Sequence, residues 1–131
     1  MLSISKIFIL SMLFLFSLTF NVNASQYNCS VENVVNTTIP PDKKFIASNF
    51  KKKFLISVTK EQIFVTSISK EFENYQTIYS IVNKNVFGIF SIAKSSIGLD
   101  SFIFSEKSNQ GNIVIQTSVG TTSWQLKCIN Q

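Results

Sequence analysis

Two carboxylates, Glu71 and Glu73, stand two residues apart in "KEFENY". In an extended chain both project to one side, and paired carboxylates can carry out glycoside hydrolysis. No second motif joins them, so the segment reads first as a solvated polar turn. The chain has no histidine, which removes the serine and cysteine triads built on an imidazole base and the histidine-ligated metal sites. Its four glycines form no phosphate loop. A non-enzymatic protein with no cofactor and no metal is expected.

The two cysteines, Cys29 and Cys128, are the other reactive pair. Two thiolates alone do not make a zinc site, and a thiol nucleophile would lack its usual histidine base. In an exported chain the default for such a pair is a disulfide.

Lysine supplies all the positive charge, since arginine is absent, and the net charge is +5. Lys43, Lys44, Lys51, Lys52 and Lys53 crowd into one short segment ending in "FKKKF". Such a cluster is a candidate site for an anionic surface. An envelope glycan, an anionic surface or another secreted protein are the partners considered. Nucleic acid is not expected, because arginine and interleaved aromatic–basic motifs are missing. The competing interpretation is an edge strand that lysines guard against edge-to-edge pairing.

These residues belong to a chain that begins as an export signal. Lys6 provides the positive region, "IFILSMLFLFSLTF" the apolar run, and Val22 and Ala24 the small residues before a cleavage point at Ser25. The run is shorter than the roughly twenty residues needed to span a bilayer. Residues 1–24 are therefore read as a signal peptide and 25–131 as one domain, periplasmic or extracellular, with no transmembrane segment. Asn28-Cys29-Ser30 and Asn36-Thr37-Thr38 are sequons of use only in a eukaryotic secretory pathway.

Residues 25–131 show short stretches of period-2 alternation separated by turn residues, the pattern of an all-β domain. Tyr27, Cys29, Val31 and Val35 share a face, interrupted only at Asn33. Residues 36–50, with Pro40 and Pro41, read as the one long loop, with a helical turn near 43–50. Hairpins are expected at Lys60–Glu61, around Asn83–Lys84–Asn85 and at Gly120–Thr121, the last because glycine suits the first central position of a type II′ turn. In the final strand Trp124, Leu126 and Cys128 face one way.

Both cysteines thus lie on apolar faces of the first and last strands, and a bridge requires those strands to be neighbours. An antiparallel meander of about eight strands whose ends meet is a closed or nearly closed barrel; a two-sheet sandwich is the alternative. "VFGIFSIAK" and "FIF" (102–104) are apolar on both faces. Bulky Phe and Ile favour a filled core over a lipocalin-like lumen holding an apolar ligand.

The "Y-x-C" at Tyr27–Cys29 and the closing "SWQLKC" resemble small periplasmic proteins of proteobacteria whose middle portion is likewise a run of β-hairpins. The outline of a signal followed by a small disulfide-closed barrel is also similar to the architecture of periplasmic C-type lysozyme inhibitors. These resemblances imply a location and a fold, and bring no functional residue with them.

Overall fold

A computed structural model describes residues 24–38, 42–95 and 98–131. The expected export signal, Ala24 apart, and the Pro40–Pro41 pair lie outside the described residues. Eight antiparallel strands form one closed barrel in simple sequence order. They are β1 (Ser25–Asn36), β2 (Lys53–Val58), β3 (Gln62–Ile68), β4 (Tyr75–Asn85), β5 (Gly88–Lys94), β6 (Gly98–Ser105), β7 (Gln110–Thr117) and β8 (Gly120–Asn130). The β8–β1 seam closes the sheet on itself and leaves no free strand edge. The single helix among the described residues, α1 (Lys43–Phe50), connects β1 to β2.

Alternation decides which side chains fill the barrel. Phe54, Ile56 and Val58 of β2 are buried, as are Trp124, Leu126 and Cys128 of β8. A β-bulge between Val31 and Asn33 resets the first strand. The extra residue, Glu32, shifts the parity by one, so Val34 turns inward and Val35 is left 47 % exposed. Sequence alternation alone places Val35 inside, because an inserted residue leaves no mark on a period-2 pattern.

The interior is packed with rings. Tyr27 meets Phe104 edge-on at 4.7 Å between centroids, Phe102 stacks on Phe104 at 5.8 Å, and Tyr79 tilts against Phe102 at 5.7 Å. Gly111 makes room for them, since a Cβ there would stand 2.8 Å from the Phe102 ring. Side chains therefore occupy the lumen that a carrier of an apolar molecule would need.

The two ends differ. At one, Lys84 pairs with Glu106 at 3.0 Å, beside the Tyr27 hydroxyl. At the other, α1 sits over the mouth. Asp42 caps it by accepting from the Phe45 amide at 2.9 Å. Residues 43–50 thus form a full helix where one helical turn in a loop is expected. α1 does not cover the outer face, where Ile92, Leu99 and Ile103 remain exposed.

Two turns differ from the sequence expectation. The β4–β5 turn is Val86–Phe87, because the Asn85 side chain accepts from the Phe87 amide and Gly88 takes a φ of +152°. Asn83 and Lys84 instead pair with β5. The last hairpin turns at Ser118–Val119, with Thr117 Oγ1 donating to the Gly120 carbonyl at 3.0 Å and Gly120 already paired in the ladder. The Lys60–Glu61 turn lies where expected, closed by the Thr59 amide donating to the Gln62 carbonyl at 2.9 Å.

Candidate functional site: a basic, partly apolar outer face

Cys29 and Cys128 are direct cross-strand partners with Cα atoms 4.0 Å apart, and they form the disulfide. The bridge fits an oxidising environment. Its register also fixes what lies outside it. Ser30 pairs with Lys127 of β8 on one side and Lys53 of β2 on the other, and Lys53 pairs with Ile68 of β3. One step along, Asn28 stands between Ile129 and Leu55. Two depressions of ≈ 430 and ≈ 510 Å³ adjoin here and share Lys53 and Ile68. The second brings in Lys51 and Lys70.

This outer face therefore joins lysines to three exposed aliphatic side chains, Leu55, Ile68 and Ile129, the last 73 % exposed. Lys51 is engaged with Glu71 at 2.7 Å. Lys53, Lys70 and Lys127 have no carboxylate within ion-pair distance among the described residues. Glu71 is held below the usual carboxylate range, first by the hydrogen bond from Lys51 and then by one from Ser48, with the charges of Lys51 and Lys44 adding to the effect. A carboxyl held ionised by a lysine suits an ion pair and not a proton donor. Glu73 is exposed on the same loop.

The predicted lysine cluster divides in the folded chain. Lys43 and Lys44 are exposed on the first turn of α1, and Lys51 and Lys53 lie on the basic face. Lys52 does not join them: only 6 % of it is exposed. Its ammonium lies over the rings of Phe72, Trp124 and Tyr75 at 4.5, 5.3 and 5.7 Å. Burial lowers its pKa, and the ring faces offset part of that lost hydration. Beside it Trp124 Nε1 donates to Asn49 Oδ1 at 3.2 Å, while Asn49 Nδ2 donates to the Phe45 carbonyl at 2.8 Å. Lys52 is therefore part of the plug between α1 and the barrel. Lys51 ends α1 as its C-cap, and the alternation of β2, with Lys53 outward and Phe54 inward, extends back one residue to turn Lys52 in.

Lys70 and Lys127 were not among the predicted site residues. Lys127 was within reach of sequence reasoning, since it alternates outward beside an inward Cys128; across Ser30 of β1 it stands level with Lys53 of β2. Lys70 comes from a loop and gives no periodic signal. Among the described residues no helix is long and apolar enough to cross a membrane. Comparison with family models, curated proteins and solved structures finds no match to this chain.

Proposed function

We propose that the protein is an exported, non-enzymatic β-barrel module that docks on an anionic lipid surface of the cell envelope through the outer face of β8, β1, β2 and β3. One observation carries the reading: Lys53, Lys70 and Lys127 share that face with Leu55, Ile68 and Ile129. Lysines flanking exposed aliphatic groups are the chemistry of an interfacial contact, in which cations meet headgroups and the apolar tips enter the acyl boundary. At about 1 kcal/mol per lysine near an anionic membrane, the three unpaired cations contribute about 3 kcal/mol. Leu55, Ile68 and Ile129 add to this by the apolar area they withdraw from water. The signal-like segment at residues 1–24 and the disulfide support an envelope location.

Co-sedimentation with phosphatidylglycerol-rich and phosphatidylcholine vesicles tests the reading. Binding is expected to the anionic vesicles alone, to weaken with salt, and to be lost in a Lys53→Glu, Lys127→Glu double variant. Lys52→Gln should bind as the wild type does, because Lys52 faces inward. Equal binding to both vesicles, or no effect of the double reversal, would sink the idea. So would binding to a soluble polyanionic polysaccharide with none to lipid.

A further inference from the structure

The outer wall over β6, β7 and β8 carries a second feature. A groove of ≈ 460 Å³ runs over β6, β7 and β8 to the Glu32 bulge of β1 and is overhung by Phe87. That volume lies within the usual range for small-molecule sites, about 300–1,000 Å³. Its lining differs in kind from the basic face. Asn112 pairs with Gln125 across β7–β8, and Gln110 and Ser105 pair across β6–β7 one step along. No lysine lines it, and its one charged group is the Glu32 carboxylate.

Two details of this groove are not explained by folding. Phe87 occupies a two-residue hairpin turn, a position that small polar residues fill well, yet its ring is 80 % exposed. The Asn112 side-chain oxygen is enclosed and has no hydrogen-bond partner among the described residues. Enclosed polar atoms are nearly always satisfied, by protein, water or ligand. Gln125 presents its amide as a donor, because its oxygen already accepts from Asn33 Nδ2 at 3.4 Å.

We propose that this groove is a binding site for a neutral saccharide. A pyranose has one face of C–H bonds and a rim of hydroxyls. The exposed Phe87 ring offers a platform for the first. The Asn112 and Gln125 amide nitrogens offer donors for the second, and Glu32 accepts a hydroxyl proton. The absence of lysine from the lining disfavours a phosphorylated or acidic ligand, and the three amides disfavour a purely apolar one. The site shares no lining residue with the basic face, which it adjoins at Lys127, the cross-strand partner of Gln110 and two residues from Gln125, so it does not depend on lipid docking.

The test is an NMR titration of the ¹⁵N-labelled barrel with maltose, cellobiose and N,N′-diacetylchitobiose, with glucose 6-phosphate as the charged control. At least one neutral disaccharide should shift the Phe87 backbone amide and the Asn112 and Gln125 side-chain amides. Phe87→Ala, at an exposed turn, should keep the rest of the spectrum and weaken that response roughly fivefold, the scale of a lost aromatic contact. Lys53→Glu should leave it unchanged even where it abolishes vesicle binding. No groove shifts with any neutral disaccharide at concentrations of about 50 mM, well into the weak-binding range, would overturn the proposal. Preference for glucose 6-phosphate, or a response indifferent to both Phe87→Ala and Asn112→Ala, would do so too.

Discussion

Reducing the Cys29–Cys128 bridge should cost the barrel stability without opening it. The bond closes a loop with a sequence separation of 99. In the chain-entropy model, a cross-link over about a hundred residues removes denatured-state freedom worth about 4.7 kcal/mol at 25 °C. The native state gives up much less. The β1–β8 ladder runs from Tyr27 and Asn130 to Asn36 and Thr122, and it is extended by the Gln131 amide donating to the Gln26 carbonyl at 2.9 Å. Those bonds hold the two strands in register with or without sulfur. The expected loss is about 2–5 kcal/mol, which for a urea slope of about 1–3 kcal/mol/M lowers the midpoint by at least about 0.7 M. Urea unfolding followed by Trp124 fluorescence, with and without a phosphine reductant, measures this. The far-UV spectrum should be unchanged on reduction, and the Cys128 amide, bonded to the Asn109 carbonyl at 2.8 Å, should stay protected from exchange. An unchanged midpoint would refute the loop-entropy argument. Loss of protection along β1 and β8 at no denaturant would refute the claim that the ladder alone keeps the seam closed.

Asn49→Leu should destabilise the plug under α1 by about 1–3 kcal/mol, because it leaves the Trp124 indole N–H without a partner in a buried site; a urea midpoint within error of the wild type would contradict this. Asp100→Asn should raise stability at neutral pH by about 1–2 kcal/mol, since Asp100 is 6 % exposed and one of its oxygens lacks a partner among the described residues. The sign follows from its pKa, which burial raises above the usual 3.8. The folded state holds the Asp100 proton more tightly than the unfolded chain, so the wild type loses stability as pH rises from 3.8 through the raised value. The variant's gain should therefore be full above that window and fade below it, and a gain independent of pH between about 3 and 7 would refute the assignment.

Much of this architecture can be read from the residues. Alternation in "FLISV" and "SWQLKC", with two cysteines on matching faces, implies a meander whose ends meet, because a disulfide cannot span distant strands. Barrel rather than sandwich is settled only by the continuous pairing of all eight strands. Local cues failed where side chains and backbone compete over a few residues: Asn83 and Asn85 both suit a turn, and only Gly88 with its positive φ decides for Val86–Phe87.

The chain by itself determined the absence of imidazole chemistry, the excess of lysine and the inward or outward parity of the strands that alternate cleanly, such as β2 and β8, since these depend on residue identity and a period of two. Which lysines act together was decided by tertiary structure. Lys52 leaves its neighbours for an aromatic cage, while Lys70 and Lys127 join Lys53 from other strands and loops. The physical reason is register: a barrel wall is a two-dimensional lattice, and cross-strand neighbours are set by hydrogen-bonded pairing and by bulges such as Glu32, neither of which is written in linear spacing.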